Sequence, residues 1–357
     1  MNFLGLRVTR SRSSDRATPA VLKNLTREAV VWAYRLFLDR EPESEQVIEE
    51  HLRKCSSTRE LRDNFIYSTE FRVNNPALHV PVLIGDEPAM SIEDRCSDDR
   101  LQKLFDHVQS TWQELGELEP HWSVVIADQY RQSNIEDNKD EFYRTGAQHV
   151  AELFASLDRN GVDYRQFKSC LDYGCGVGRI TRHLAERFEK VNAYDISPSH
   201  LRHAEDYLKT QKISNVTFGQ MKRVRDIEEL ARVDVAFSML VLQHNPPPVI
   251  AFLIEGLIKS LNPGGIAFFQ VPTYRLGYSF SVTNYLTHEA PRREMEMHVL
   301  PQRRIFEIAE CAGAHVLEVI DDGWTGIRLR EVSNTFVIQK TSKAWRNLSL
   351  RVLSKQS

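Results

Sequence analysis

The sequence predicts an α/β fold with a mainly parallel sheet, preceded by an all-helical N-terminal segment. Residues 170–204 read as a strand, a glycine-rich turn, a helix and a second strand that ends at Asp195. Further apolar runs at 233–240 and 261–271 are typical of buried strands of a parallel sheet. Within residues 30–66, by contrast, apolar side chains recur at helical spacing. The two patterns indicate an α/β domain that follows a helical one.

The helical segment is predicted over residues 25–75 as a small bundle. The apolar residues of its first helix are Val30, Val31, Tyr34, Phe37 and Leu38. The turn at 39–42 contains Pro42 and ends this helix, because the residue before a proline disfavours helical geometry. The second helix carries Val47, Ile48 and Leu52. The motif Ser-Thr-Arg-Glu at 57–60 is a capping box that opens a third helix.

Composition divides the rest of the chain into further segments. Residues 76–97 are predicted to form a linker, because they contain three prolines and a glycine. Residues 98–160 are rich in helix formers and aromatic side chains, and we expect a helical extension or lid there. The α/β domain itself is expected over 161–340. Residues 1–24 are expected to be a disordered or frayed N-terminus.

The glycine-rich turn carries the strongest functional signal. It reads Asp172-Tyr173-Gly174-Cys175-Gly176-Val177-Gly178, and Asp195 lies 21 residues after Gly174. Glycines let the backbone approach a ligand closely, and an acid at the end of the second strand can accept both ribose hydroxyls. A dinucleotide site needs G-x-G-x-x-G, but Arg179 follows this turn. An acid ahead of the turn repels a pyrophosphate and suits a cationic amino-acid end, so a nicotinamide cofactor is disfavoured.

These residues resemble motif I of the class I methyltransferases, and the resemblance extends over residues 140–340. The LNPGG sequence at 261–265 resembles the turn that precedes strand five in that family. Residues 315–320 and 333–339 resemble its closing antiparallel strand pair, and Pro301 opens a helix that runs to about Cys311. The resemblance implies a Rossmann-like seven-stranded sheet. It also implies S-adenosylmethionine as the cofactor.

The resemblance implies a set of cofactor-binding residues: Tyr143, Asp172, Tyr173, Gly174, Gly176, Gly178, Asp195, Ile196, Met221 and Met239. Tyr143 belongs to a candidate lid at 141–146 and is expected near the sulfonium. Relatives often carry an acid after strand three, but here Lys222 occupies that position and Asp226 lies four residues further on. Adenine recognition therefore remains open between the backbone at 221–222 and the Asp226 side chain.

His244 is the candidate catalytic residue. It lies just past the fourth strand, where an acceptor must approach the methyl group, and a hydroxyl acceptor needs its proton removed. Two roles stay open for His244, a general base or a brace of its loop, and His298 is the second candidate base. Residues 245–248 resemble the Asn-Pro-Pro turn of amino-methyltransferases but begin 11 residues past Asp234, which is too late in the chain. Methylation of a base or glutamine nitrogen is therefore not expected.

Metal and nucleic-acid chemistry are disfavoured by composition. Residues 240–254 contain no carboxylate, so Mg²⁺ has no evident oxygen ligands after the fourth strand. The five cysteines include no C-x-x-C pair, which indicates reduced thiols and no zinc site. A net charge of −3 gives no general attraction to nucleic acid. We therefore expect no metal and no nucleic-acid partner.

The termini and hydropathy predict a cytoplasmic location. Residues 1–16 lack the apolar core of a signal peptide, and no run of 18 apolar residues could span a membrane. The last 18 residues hold five Lys or Arg and no acid. For the basic tail at 341–357, a solvated tail is favoured over a basic helix that contacts anionic lipid or a glycan.

Residues 25–73 resemble a small helical domain of unknown function related to phycobilisome linker modules. In that family the module recurs beside enzymes that build bacterial surface glycans. The two resemblances together imply an O-methyltransferase that acts on a sugar hydroxyl of a surface glycan or its precursor, in association with glycan assembly or a membrane surface. Two alternatives remain: a small-molecule methyltransferase of secondary metabolism, and a non-catalytic scaffold that binds S-adenosylmethionine. The oligomeric state is not predicted.

Overall fold

The computed structural model describes four stretches of the chain: 25–75, 87–287, 295–324 and 331–341. The chain divides into two compact units, 1–81 and 82–357. The predicted frayed N-terminus at 1–24, the linker residues 76–86 and the tail residues 342–357 lie outside the described stretches. Within those stretches, no helix has the length and apolar character needed to cross a membrane.

The N-terminal unit consists of four short helices, α1 (Arg27–Leu38), α2 (Glu45–Lys54), α3 (Thr58–Ile66) and α4 (Thr69–Asn74). Helix α4 is absent from the sequence-based prediction. Val30, Ile48 and Phe65 are buried and join these helices in one apolar core. The predicted capping box of α3 is shifted by one residue, since the Glu60 carboxylate accepts from the Ser56 N–H at 2.6 Å. The Ser57 hydroxyl makes the expected half of the motif by accepting from the Glu60 N–H at 3.2 Å.

Residues 87–97 belong to the C-terminal unit and are bonded to its other segments, in contrast to the predicted linker over 76–97. Strand β1 (Ser91–Ile92) pairs in parallel with residues 279–280. The Tyr274 hydroxyl donates to the Pro88 carbonyl at 2.8 Å, and Asp94 forms an ion pair with Arg304 at 2.9 Å. Backbone and side-chain bonds therefore attach this segment to the α/β domain.

Helices and strands alternate through the C-terminal unit. Three helices follow β1: α5 (Asp98–Leu118), α6 (Ile135–Arg144) and α7 (Gly146–Arg159). The strands that follow are β2 (Ser169–Tyr173), β3 (Lys190–Asp195), β4 (Val216–Gln220), β5 (Val233–Ser238), β6 (Leu261–Arg275), β7 (Ser279–Phe280), β8 (Ala314–Asp321) and β9 (Glu331–Lys340). The helices between them are α8 (Thr181–Ala185), α9 (Pro198–Thr210), α10 (Pro247–Lys259), α11 (Val282–Thr287) and α12 (Gln302–Cys311).

Seven of these strands form the main sheet, in the order β4-β3-β2-β5-β6-β9-β8. Strand β9 is antiparallel to both of its neighbours, and the other neighbouring strands are parallel. This arrangement confirms the predicted class I methyltransferase fold. The chain order reverses between β2 and β5, and ligands of open α/β sheets bind outside the carboxyl ends of the strands at such a switch point.

Both faces of the sheet are covered by apolar layers. Phe268 and Phe269 are consecutive in β6, so their side chains point to opposite faces. Phe268 stacks on Phe237 and Phe269 stacks on Phe336, each at a ring-centroid distance of 5.5 Å. All four rings are fully buried, which explains the continuous apolar runs of the parallel strands.

The predicted turn at 261–265 is a bulge at the start of β6. Leu261 pairs with Val233 and Ile266 pairs with Val235, so four residues of β6 lie opposite the single residue Asp234 of β5 and three of them are extra. Gly264 has a φ of 86°, which only glycine adopts readily. The Asn262 side chain donates to the Asp234 carboxylate at 2.8 Å and holds the bulge against β5.

His121 is buried among aromatic side chains after α5. Its side chain is 5% exposed, and its ring lies 5.2 Å from Phe142 and 5.7 Å from His203, measured between centroids. Within the described residues, neither ring nitrogen has a hydrogen-bond partner. Burial, followed by repulsion from His203, lowers the pKa of His121 to about 4. The folded protein therefore keeps this imidazole neutral.

We expect His121→Leu to reduce the acid sensitivity of the fold. The His121 imidazole binds a proton near pH 6.5 in the unfolded chain and only near pH 4 in the folded chain. Its contribution to the free energy of unfolding is therefore complete above pH 6.5 and falls as the pH decreases towards 4. The loss of unfolding free energy across that interval should shrink by on the order of 1–3 kcal/mol in the variant. Urea unfolding at pH 7.5, 6 and 5 measures the difference. An identical pH dependence in both proteins would contradict it.

Candidate functional site

A cavity lies at the carboxyl ends of β2, β3 and β5 and is covered by α5. Nine predicted site residues line it: Asp172, Tyr173, Gly174, Gly176, Asp195, Ile196, Met221, Met239 and His244. Gly178 and Tyr143 do not line it. The structure thus brings most of the candidate site together at the switch point of the sheet.

The glycine turn wraps around the end of β3. The backbone N–H groups of Gly174 and Cys175 both donate to the Tyr194 carbonyl, at 2.7 and 3.0 Å. Gly174 has a φ of 76°, and a Cβ on it would lie 2.4 Å from both methyl groups of Val241. A Cβ on Gly178 would instead press on Leu208 at 3.0 Å. The absence of a side chain at Gly178 therefore lets the turn pack closely against α9, and Gly178 does not face the cavity.

Asp195 presents a buried carboxylate to the cavity. Its Oδ2 accepts from the Gly176 N–H and its Oδ1 accepts from the Ser197 N–H, both at 2.8 Å. A carboxylate has about four lone-pair sites, so these two bonds leave acceptor capacity for the two hydroxyls of a ribose. The same bonds fix the side chain in place, which lowers the entropy cost of binding.

Asp172 lies deeper in the cavity and is 2% exposed. It accepts one hydrogen bond from the Thr181 hydroxyl at 2.7 Å. Burial, opposed by this hydrogen bond, raises the pKa of Asp172 to about 7. A cationic group bound beside the carboxylate would favour its ionised form. The position therefore suits the ammonium group of an amino-acid ligand.

Arg179 is a site residue that sequence reasoning missed. Its side chain is 4% exposed, lines the cavity, and donates to the Thr145 hydroxyl at 3.2 Å. Its Nε has no hydrogen-bond partner within the described residues, and burial lowers its pKa to about 10. A buried guanidinium with an unused donor fits a ligand carboxylate. A single Arg after a glycine turn carries no pattern that would have identified it.

Tyr143 is placed differently from the prediction. Its hydroxyl donates to the Val177 carbonyl at 3.2 Å, and its ring packs against Phe142 at a centroid distance of 5.1 Å. The side chain is 1% exposed and lies behind the glycine turn, because α6 buries this face in the domain core. Helix α5 supplies the aromatic wall instead, through Phe105 and Trp112.

Met221, which follows β4, bounds one end of the cavity. Its N–H donates to the Asp195 carbonyl at 2.9 Å, and its carbonyl accepts from Gln109 at 3.0 Å. Asp226 accepts from the N–H groups of Lys222 and Arg223, both at 2.8 Å, so it braces this loop. Asp226 is not among the residues that line the cavity. Of these candidates only Met221 lines the cavity, and because the N–H groups of Met221 and Lys222 are committed within the protein, the Met221 carbonyl and side chain are the groups left for contact with a base.

His244 lines the cavity beneath Trp112, with a ring-centroid distance of 4.9 Å. Its Nδ1 donates to the Glu296 carbonyl at 2.9 Å, which assigns the proton to Nδ1 and leaves Nε2 as the acceptor. The Gln243 amide lies 3.2 Å from Nε2 and donates to it. Burial, opposed by the bond to Glu296, lowers the pKa of His244 to about 4. The imidazole is therefore neutral at pH 7 and able to accept a proton, although it is a weak base.

We expect His244→Asn to lower kcat by about 100-fold or more if the imidazole acts as general base. The affinity for S-adenosylhomocysteine should stay within a few-fold, because Asp195 and the glycine turn are untouched. In the wild type, the low pKa of His244 predicts activity that is sustained down to about pH 5. His203→Asn, which changes a partly buried histidine outside the cavity, is the control. An unchanged kcat in His244→Asn would leave His244 with a bracing role only.

His298, the second candidate base, lies behind His244. The backbone N–H of His298 donates to the Gln243 carbonyl at 2.6 Å, and the His298 ring does not line this cavity.

In the described stretches, no group of three or more His, Cys, Asp or Glu side chains is placed to hold a metal ion.

Part of this chain is similar to known methyltransferases. Residues 170–265 match a family described as a methyltransferase domain. A malonyl-[acyl-carrier protein] O-methyltransferase of Salmonella typhimurium is 30% identical over 36% of this chain, and the match spans 50% of that protein. A ubiquinone biosynthesis O-methyltransferase of Coxiella burnetii is 25% identical over 48% of this chain and 72% of that protein. The solved structure of magnesium protoporphyrin IX methyltransferase from Synechocystis PCC 6803 with bound SAH aligns with 66% of this chain and 98% of that chain, at 21% identity and a TM-score of 0.45.

Proposed function

We propose that this chain, which contains a methyltransferase domain in a class I methyltransferase fold, methylates an acceptor oxygen with S-adenosylmethionine as its cofactor. The observation that carries the proposal is the cavity itself. It combines a fixed, buried Asp195 carboxylate, a glycine turn and a buried Asp172 at the switch point of the sheet. These groups match a nucleoside with a cationic amino-acid end.

The residues of the cavity fit that cofactor from one end to the other. Asp195 would accept the ribose hydroxyls, and the Met221 backbone would border the adenine. Asp172 would face the ammonium group and Arg179 the carboxylate of the methionine part, so opposite charges meet at both positions. When bound, S-adenosylmethionine supplies a methyl group on a sulfonium, which is already activated for displacement. The protein's task is then mainly alignment and exclusion of water.

An oxygen acceptor is favoured over a nitrogen acceptor. Both relatives described above carry the name O-methyltransferase. His244 is neutral and its Nε2 is the acceptor nitrogen, so it can take the proton that a hydroxyl must lose once its hydrogen bond from the Gln243 amide is exchanged for one from the acceptor. The Trp112 ring packs against His244 and limits the access of water to this position.

For the acceptor we propose a sugar hydroxyl of a bacterial surface glycan or its precursor. The support is the resemblance of residues 25–73 to a module that accompanies glycan-modifying enzymes, together with the finding that residues 25–75 form a separate helical unit. A small-molecule acceptor is the second candidate, since the name of the Coxiella relative places that protein in ubiquinone biosynthesis.

Labelling separates these possibilities. Purified protein receives methyl-tritiated S-adenosylmethionine and a bacterial lysate, and the label is partitioned among polysaccharide, lipid-linked, protein and small-molecule fractions. Label in polysaccharide or lipid-linked material supports the glycan acceptor, and label confined to small molecules contradicts it. Asp195→Ala provides the blank. Cofactor binding without any transfer would contradict the catalytic proposal and favour a scaffold.

A further inference from the structure

Two side-chain amides lie in a row behind His244. The Gln243 amide nitrogen donates to His244 Nε2 at 3.2 Å, and the Gln243 amide oxygen accepts from the Gln270 amide nitrogen at 3.1 Å. The Gln270 nitrogen also donates to the Ser333 hydroxyl at 2.7 Å and to the Trp324 carbonyl at 3.4 Å. Gln243 is 7% exposed, and Gln270 and Ser333 are fully buried. A chain of hydrogen bonds therefore connects the interior of the sheet, at β6 and β9, with the histidine at the cavity.

Backbone carbonyls at the two ends of this chain set the direction of its bonds. A carbonyl oxygen can only accept, so the Gln270 atom that faces the Trp324 carbonyl is the amide nitrogen. The Gln243 atom beside that nitrogen must then be the oxygen, which turns the Gln243 nitrogen towards His244. At the other end, the Glu296 carbonyl accepts from His244 Nδ1 at 2.9 Å. Both ends thus require the same tautomer of His244, with the proton on Nδ1 and a lone pair on Nε2.

The orientation of the Gln243 amide decides which form of His244 is favoured. The backbone of Gln243 is held in place, because its carbonyl accepts from the His298 N–H at 2.6 Å. A reversed side-chain amide would present its oxygen to Nε2, and an oxygen there accepts only from a protonated nitrogen, so it would favour the imidazolium. An imidazolium has no lone pair with which to take a proton. The bond from Gln270 opposes this reversal, because a reversed amide would place two N–H groups against each other.

Gln270 is a polar side chain in an apolar part of β6. Its neighbours Phe269 and Val271 are fully buried, as Gln270 itself is. Among the described residues, its amide oxygen has no hydrogen-bond partner. A buried amide with an unpaired oxygen costs free energy that an apolar side chain of similar size would not cost. Packing alone therefore gives no reason for a glutamine at this position, whereas the orientation of Gln243 does.

We propose that Gln270 is a positioning residue that acts through the Gln243 amide to hold His244 in the neutral form that can accept a proton. The role rests on the proposed function, in which His244 removes a proton from the acceptor hydroxyl. Before the acceptor binds, the Gln243 N–H occupies the lone pair of Nε2, and the acceptor O–H then takes its place. Neither glutamine is among the residues that line the cavity, so each acts only through the next residue of the chain.

The charge of the His244 imidazole tests the proposal without requiring turnover. Gln270→Met keeps the approximate size of the side chain but removes its N–H donors, so the Gln243 amide can reverse. The pKa of His244, about 4 in the wild type, should rise by about one pH unit. At pH 5 the ring should then be about half protonated in the variant and about one-tenth protonated in the wild type. ¹⁵N NMR of the full chain with labelled histidine measures both fractions, and His244→Asn identifies the signal.

Ser333→Ala is the matched control. It removes another hydrogen bond of the Gln270 amide in equally buried surroundings but keeps the bond from Gln270 to Gln243. It should therefore leave the pKa of His244 unchanged. Both variants keep the titratable groups around His244, which are Glu296 and His298 beside the turn at 242–244 and Asp172, Arg179, Asp195 and His200 in the cavity lining. A difference between the two variants thus reports the bond between the two amides.

Gln243→Glu tests the last step of the chain independently of Gln270. The new carboxylate would face Nε2 and should raise the pKa of His244 by more than Gln270→Met does, because it adds an opposite charge to an accepting oxygen. Thermal unfolding shows whether each variant is folded. If Gln270→Met does not fold, Gln243→Glu still decides, since an unchanged pKa of His244 in that variant would mean that the amide does not face Nε2.

The proposal is overturned if Gln270→Met leaves the pKa of His244 as it is in the wild type, or if Ser333→Ala raises it equally. Loss of turnover in His244→Asn without any change of that pKa in Gln270→Met would overturn this inference alone. A raised pKa in Gln270→Met together with full turnover in His244→Asn would overturn the proposed base and leave the positioning of His244 by Gln270 standing. If both proposals hold, the acid limb of the kcat profile should move to higher pH in Gln270→Met by the same interval as the pKa of His244.

Discussion

Asp195→Ala is expected to weaken binding of S-adenosylhomocysteine by about 30-fold or more, which corresponds to about 2 kcal/mol or more of binding free energy. The substitution removes the acceptor for the ribose hydroxyls. It also leaves the buried N–H groups of Gly176 and Ser197 without their partner, since both donate to this carboxylate at 2.8 Å. Isothermal titration calorimetry measures the affinity, and thermal unfolding without ligand reports any change in the fold.

Asp206→Ala is the matched control for the loss of a carboxylate. Asp206 lies on α9 close to Asp195 in the chain, and its side chain is 81% exposed. Its removal should leave the affinity for S-adenosylhomocysteine unchanged. Equal affinities of Asp195→Ala and wild type would show that the carboxylate does not contact the ribose, and the assignment of this cavity to the cofactor would be wrong.

Gly174→Ala is expected to destabilise the fold and the cofactor site together. The left-handed backbone at this residue, with φ of 76°, costs about 1–2 kcal/mol for an L-residue. The new methyl group would also meet Val241 at 2.4 Å, and such overpacking costs about 1–3 kcal/mol more. Denaturant unfolding followed by circular dichroism gives the total loss, and cofactor affinity should fall because the turn must move.

Two further variants separate the contributions at Gly174. Gly161→Ala also places alanine at a positive φ, 63°, but its Cβ has open space, so it should show the backbone cost alone. In a Val241→Ala background, Gly174→Ala should cost less unfolding free energy than it does in the wild type, because the clash with the Val241 methyl groups is gone. If Gly174→Ala were no more destabilising than Gly161→Ala, the turn would not be packed tightly against Val241.

The succession of strands and helices along the α/β domain could be predicted because its signals are local, whereas the arrangement of the strands in one sheet was implied by the family resemblance. The motif from Asp172 to Asp195 contains a whole strand-turn-helix-strand unit, and its backbone hydrogen bonds join residues that are close in sequence. Apolar runs at β5 and β6 are long enough to require burial on both faces of a sheet. The bulge at 262–265 was not predictable as such, since Asn-Pro-Gly-Gly also encodes an ordinary turn. Only its contact with Asp234 on the neighbouring strand decides between the two.

Candidate site residues on the strand ends were likewise predictable, because parallel strands bring their carboxyl ends to one edge. Asp172, Asp195, Met221 and His244 meet there as expected. Tyr143 does not line the cavity with them, because the direction of its side chain depends on how α6 packs against the glycine turn. Trp112 is equally hard to assign in advance, since its position over His244 depends on α5 crossing a site formed by residues far away in sequence.

The sequence by itself determined the α/β class, the cofactor motif and the carboxylate that closes it, since each depends on periodicity and turn chemistry within a few tens of residues. The tertiary structure alone decided the protonation of the site. It buries Asp172, Arg179 and His244 and thereby shifts their pKa values towards the neutral forms. It also decided that Ser91, residues within 275–285 and residues 296–298 line a second cavity. Burial and long-range contact are properties of packed elements, and no local pattern encodes them.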